Sequence, residues 1–194
     1  MSRFEDAFRV VMADEGGYCN NPKDRGGETY RGISRKYHPD WKGWSIVDAV
    51  KANAGEIPHY GSRDYLRWRT GIDRRLAGNS ELQEDVSGFY ASQLWCPQYE
   101  QIENQDLVNW LFSHTVNISP VHNGKSIVHK WLQRALNLDD DGIIGPETLA
   151  AVNACGDVTK LIDSMKDDAR RYYTAIVSAH PDQAQFLEGW LARV

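Results

Sequence analysis

The sequence predicts a mainly helical α+β fold, and three observations support that prediction. Apolar residues recur at helical spacing along most of the chain, and one glycine- and proline-punctuated stretch near the start breaks the pattern. The composition, 41% hydrophobic and 25% charged over 194 residues, is that of a chain able to bury a sizeable core.

The elements follow in order. Phe4, Ala7, Phe8, Val11 and Met12 fall on one helical face, so residues 3 to about 14 form an amphipathic helix, with Ser2 and Glu5 spaced as a capping box and Gly16-Gly17 ending it. From Tyr18 to Ser34 the chain is least helical. Pro22, Asp24, Gly26-Gly27 and Gly32 separate short polar or β-prone pieces, the pattern of a small irregular hairpin. Helices then return at Ile46 to Ala54, around Tyr65 to Trp68, and from Ser80 until Pro97 closes the segment. Residues 106 to 117 are apolar on most faces and predict a helix buried through the middle of the fold. Lys125 to Leu136 is helical, followed by a tight DDDGIIG loop and a short helix entered at Pro146. A long helix spans Val158 to about Ala179, and Phe186, Leu187, Trp190 and Leu191 form a short last one. No repeat or linker divides the chain.

Charge and cysteines narrow the function. The net charge of -5, with both signs scattered, provides no footprint for nucleic acid or an anionic membrane surface. Cys19, Cys96 and Cys155 are odd in number and lack C-x-x-C spacing, which predicts neither a disulfide framework nor a zinc site and suits folding in a reducing cytosol. Arg3, Glu5, Asp6 and Arg9 interrupt any signal-type apolar run, and no segment approaches the ~20 apolar residues of a membrane span. Seven Trp and nine Tyr supply rings of the kind that stack on sugars, though most such rings pack in cores.

The stretch DEGGYCNNPKDRGGETYRGIS, residues 14–34, concentrates the chemistry. Glu15 falls at the C-terminal end of the first helix, where the partial negative charge of the last carbonyls disfavours an ionised carboxylate and raises its pKa. That suits a general acid for a glycosidic oxygen. Asp24 lies across the turn at Pro22, and Thr29 follows the glycine pair; glycoside cleavage needs a second carboxyl to stabilise positive charge or hold a water. Glu15, Asp24 and Thr29 are thus acid, stabiliser and water holder. By itself the pattern also fits a solvated helix-end glutamate, an Asx turn at Asp24 and glycines as turn punctuation. Tyr18 and Tyr30 flank the acid in sequence, Trp41 and Trp44 follow the hairpin, and these four are the candidates for stacking on sugar. Asn117 either hydrogen-bonds a substrate N-acetyl group or caps the buried helix.

Two other chemistries fit less well. Asp139, Asp141 and Gly142 resemble a calcium loop but lack glycine and glutamate at the required positions. His114, His122 and His129 form no H-E-x-x-H pair, so a zinc-type wall peptidase or amidase remains an alternative without its motif. No metal and no cofactor is expected. A wall-binding module that does not cut is the other alternative.

The string E-G-G-Y-x-x-x-P-x-D-x-G-G-x-T-x-x-G-I-S, filled here by Glu15, Gly16, Gly17, Tyr18, Pro22, Asp24, Gly26, Gly27, Thr29, Gly32, Ile33 and Ser34, resembles the signature of glycoside hydrolase family 108, phage endolysins and secretion-associated muramidases. LQRALNLDDDGIIGPETLAAV resembles the predicted peptidoglycan-binding module that accompanies that family, with its turn at Asp141, Gly142, Gly145, Pro146 and Thr148. The resemblance implies Glu15 as the residue required for lysis. The E-x8-D spacing is also similar to that of phage lysozymes, although Thr29 comes one residue earlier than theirs. Ser119 stands where relatives usually have glycine in a Val-Asn-x-Gly-Pro run.

The resemblance implies a lysozyme-like body: residues 1–104 as the catalytic region, 105–194 as a helical peptidoglycan-binding region packed against it, and a cleft between them. The implied reaction is hydrolysis of the β-1,4 bond between N-acetylmuramic acid and N-acetylglucosamine in glycan strands. Synthesis in the cytoplasm without a signal peptide, followed by action in the periplasm or wall, calls for a helper such as a holin-like membrane protein. The expected state is a monomer.

Overall fold

The computed structural model describes residues 2–21, 27–118 and 120–194. It has the mainly helical α+β architecture expected, a first helix followed by a small antiparallel sheet and then by helices. The chain divides into two compact units, Phe8–Gln93 and Met1–Ala7 with Leu94–Val194.

Helix α1 (Phe4–Asp14) presents Ala7 and Val11 as buried positions one turn apart. Ser2 does not complete the capping box expected of it. Its hydroxyl and its N–H both donate to the Ile102 carbonyl, at 2.7 and 3.1 Å, so a long-range partner replaces the local one. After Gly16 and Gly17 come β1 (Tyr18–Asn20), β2 (Glu28–Tyr30) and β3 (Ile33–Ser34), a sheet of order β1-β2-β3 rather than a two-stranded hairpin. Tyr18 pairs with Tyr30, Cys19 with Thr29, and Tyr30 with Ile33. Arg31 and Gly32 form the two-residue connection, with φ of 47° and 74°. Positive φ at both positions matches the twist of paired strands, and only glycine adopts it without steric cost.

In the same unit, α2 (Gly43–Ala52) starts earlier than Ile46. Helix α3 (Arg63–Ala77) is far longer than the short stretch expected around Tyr65 to Trp68. Ser62 caps it by accepting from the Tyr65 N–H at 3.0 Å, and its buried residues, Tyr65, Ile72 and Leu76, form a stripe so narrow that charged residues mask it in the sequence. Helix α4 (Ser80–Gln93) buries Leu82, Val86 and Tyr90 against that unit's core.

In the other unit, α5 (Gln105–Asn117) is buried along most of its length, as expected of an all-round apolar helix. It packs with α6 (Ile127–Ala135) and α8 (Val158–Ala179); α7 (Pro146–Asn153) lies between those two in sequence, and the short α9 (Leu187–Leu191) packs on α8. Gln133 of α6 organises the DDDGIIG loop. Its amide donates to Asp141, the Ile143 carbonyl and Thr148, and its oxygen accepts from the Gly142 N–H at 2.8 Å. Asp141 in turn accepts from the Ile143 N–H, so its carboxylate serves as a loop cap.

Candidate active site

Glu15 continues the ladder of α1, its N–H bonding to the Val11 carbonyl at 3.1 Å, and is half-buried. It therefore stands at the C-terminal end of the helix, as its position in the sequence predicts. That end is not bare, however. The Arg31 guanidinium reaches back from the hairpin turn and donates to the carbonyls of Met12 and Glu15, 3.3 Å each. A cation there offsets part of the helix's negative end, and it comes from outside α1.

The turn that supplies Arg31 also seats the acid. A Cβ added to Gly32 would lie 2.8 Å from the Glu15 Oε2 and 2.7 Å from the Tyr90 hydroxyl, so both groups rest over the bare glycine. Tyr90, buried on α4, donates from its hydroxyl to the Arg31 carbonyl at 2.9 Å. Burial, and secondarily the Glu15 carboxyl, push the Tyr90 pKa well above the usual phenol value, so the hydroxyl keeps its proton and remains a donor. On the other side of the motif, Gly17 leaves room for the Asp73 carboxylate, which would collide with a Cβ there and accepts from the Tyr18 N–H at 2.5 Å. The Glu-Gly-Gly-Tyr run is thus held from three elements: the sheet turn, α3 and α4.

Thr29 lies in the middle of β2, half-buried, two residues before the Arg31–Gly32 turn. It is paired with Cys19 on one side and Ser34 on the other. Strand alternation puts it on the face opposite Tyr18 and Tyr30. Asp24 falls outside the described residues.

Three of the four rings expected to stack on sugar are in the core instead: Tyr18, Tyr30 and Trp44 are 2%, 1% and 4% exposed. Their polar ends are satisfied inside the unit. Tyr18 donates to Glu28 at 2.7 Å, Tyr30 accepts from Gln83 at 3.0 Å, and the Trp44 Nε1 donates to the His38 carbonyl at 2.8 Å. Amphipathic rings pair a large apolar body with one polar tip, which makes them good core residues beside a polar sheet. Glu28, which joins Tyr18, also pairs with Lys51 and Arg35, at 2.5 and 2.8 Å. Trp41 remains half-buried. Asn117, in the other unit, caps its own helix, donating to the Ser113 carbonyl at 2.8 Å and accepting from Arg193 at 3.0 Å.

The model of the family described as glycosyl hydrolase 108 matches residues 8–118, more than half of the chain and all of the stretch just described. The chain belongs to that family. Residues 127–194 match a second model, described as a predicted peptidoglycan domain. Among solved structures, SagA from Brucella abortus has a similar fold, with a TM-score of 0.56 and 20% identity over 98% of this chain and 88% of that one. No curated protein gives a significant match to the sequence. The two family matches together make this protein a glycoside hydrolase that acts on peptidoglycan.

In this family 108 hydrolase the residues that position Glu15 were not all legible in the sequence. Arg31 and Gly32 lie inside the motif. Tyr90 carries no signal beyond its place on an apolar helix face, and Asp73 sits in a charged run of α3. Both are brought to the motif by packing. A groove of about 670 Å³ opens elsewhere on the same unit, between residues 37–42 and α4, with Trp41 and Phe89 among its walls. Glu15 does not line it.

Proposed function

We propose that this hydrolase is an N-acetylmuramidase, with Glu15 as general acid for the β-1,4 bond between N-acetylmuramic acid and N-acetylglucosamine. The observation that supports this most is the seat of Glu15. The carboxyl lies at a helix end over a glycine turn that a buried tyrosine ties to α4, inside the region matched by the glycosyl hydrolase model. A general acid works only from a defined position beside the oxygen it protonates.

In the proposed reaction the protonated Glu15 carboxyl gives its proton to the glycosidic oxygen as the bond from that oxygen to the anomeric carbon breaks. The departing sugar takes the proton, and positive charge develops on the ring left behind. Asp24 stabilises that charge or orients a water, Thr29 helps hold the water, and the water attacks from the opposite face, giving up a proton to the Asp24 carboxylate and inverting the anomeric centre. Lysis of a host cell and opening of the wall for secretion both use this cut.

The test is Glu15→Gln in the full chain. Lysis of purified sacculi should fall by ~10² to 10⁴ while the fold is retained, the usual loss when a general acid is removed. Mass spectrometry of the released muropeptides should show reducing-end muramic acid. Retention of more than half the lysis overturns the role of Glu15, and anhydro-muramic acid or free peptides overturn the muramidase reaction.

A further inference from the structure

The groove between residues 37–42 and α4 has a preformed aromatic wall. The Trp41 indole packs edge-on to Trp44 at 5.1 Å, donates from Nε1 to the Asp85 carbonyl at 3.4 Å, and covers Gly43, where any Cβ would collide with the ring. Phe89 adds a second ring, 6.4 Å from Trp41, and Tyr37 a third that is 65% exposed. Such rings lose little freedom when a ligand covers them, because packing has already fixed the inner two.

The polar lining argues for an uncharged ligand. Asp85, buried, is paired with Lys42 at 2.5 Å, which neutralises the one cation among the lining lysines and arginines. Asp40 and Glu84 then leave the groove with acceptors and a negative balance, unsuited to a carboxylate. Gln93 adds an amide that both donates and accepts. A hexosamine presents an apolar ring face together with hydroxyl and amide donors, which is the complement of these walls.

We propose that this groove is a glycan subsite, gripping an N-acetylhexosamine of the strand away from the bond being cut. The proposal rests on the peptidoglycan-hydrolase reading and extends it. Phe89 of the groove and Tyr90 of the Glu15 seat are neighbours on α4, their rings 6.0 Å apart. The two sites therefore share one rigid helix, yet Glu15 lies outside the groove. The sugar held here is one that positions the strand.

Gly88 provides the test. It is exposed on α4, lines the groove, and a Cβ there would meet nothing within 4 Å. Gly88→Leu fills the groove while favouring the helix, so the melting temperature should hold or rise. Binding of an N-acetylglucosamine tetramer is measured by calorimetry on the full chain carrying Glu15→Gln, which holds the ligand without turnover. Adding Gly88→Leu, or separately Trp41→Ala, should weaken binding about fivefold to tenfold, the worth of one aromatic contact. Unchanged affinity in the Gly88→Leu variant, or no binding of the tetramer to the chain without it, overturns the subsite. Failure of the acid reading shows up differently, as lysis that survives Glu15→Gln.

Discussion

The Tyr90 hydroxyl donates a 2.9 Å hydrogen bond to the main-chain carbonyl of Arg31, which ties α4 to the turn beneath Glu15 across 59 residues of sequence. Removing the hydroxyl with Tyr90→Phe keeps the ring's packing but leaves that carbonyl without this donor. The expected cost is about 1 kcal/mol of stability, read from denaturant unfolding. Loosening the acid's seat should also lower the rate of sacculus lysis roughly tenfold, a loss typical of small misplacements of catalytic groups. An unchanged rate would show that the turn holds its place without Tyr90.

Two glycines of the motif should respond oppositely to the same change. At Gly32, alanine would place its Cβ 2.8 Å from the Glu15 carboxyl and 2.7 Å from the Tyr90 hydroxyl, on a backbone with φ of 74°. We expect Gly32→Ala to cost about 1–2 kcal/mol from the left-handed backbone alone and to abolish most lysis. A Cβ at Gly16 meets nothing within 4 Å, so Gly16→Ala should fold and lyse nearly as the parent does. Equal activity of the two variants would remove the steric account of the seat.

Acid should destabilise the unit that contains His114 and His129. Burial lowers both pKa values from 6.5 to about 4. The His129 Nδ1 meets the Gly142 carbonyl at 3.0 Å and so carries the proton, which leaves Nε2 to accept from the Tyr99 hydroxyl at 2.8 Å. Protonating Nε2 would break that second bond. Because the unfolded chain protonates these rings before the folded one does, stability is complete above about pH 6.5 and declines as pH falls towards 4. The decline is on the order of 3 kcal/mol per ring at the acid end. Thermal melts at pH 7 and pH 4.5 test this, and His129→Gln should flatten the difference. A melting temperature independent of pH in that window would contradict it.

The loop at residues 139–145 should depend on Gln133. That side chain is 3% exposed and serves Asp141, Gly142, Ile143 and Thr148. Gln133→Ala leaves the buried Gly142 N–H without its acceptor and opens a cavity, for an expected loss of about 2–4 kcal/mol. Urea unfolding is the check, and a loss below about 1 kcal/mol would mean that water replaces the amide.

Legibility in the sequence followed how local each cause was. Helix α5 was recognisable because nearly every face is apolar, whereas α3 was largely missed because three buried residues hide among arginines and aspartates. The aromatics show the same limit from the other side. Tyr18, Tyr30 and Trp44 stand near the acid in sequence, but pairing in the sheet and packing on α3 and α4 turn them inward.

The sequence by itself determined the first helix and its end, the glycine break, and a carboxylic acid at position 15. These depend on residues within a few positions of one another, through helix periodicity, glycine φ and motif spacing. Only the tertiary structure decided what surrounds that acid. Arg31 returns to the end of α1, Tyr90 descends from α4, and Asp73 meets Gly17, because strand pairing and core packing close loops that no local rule encodes.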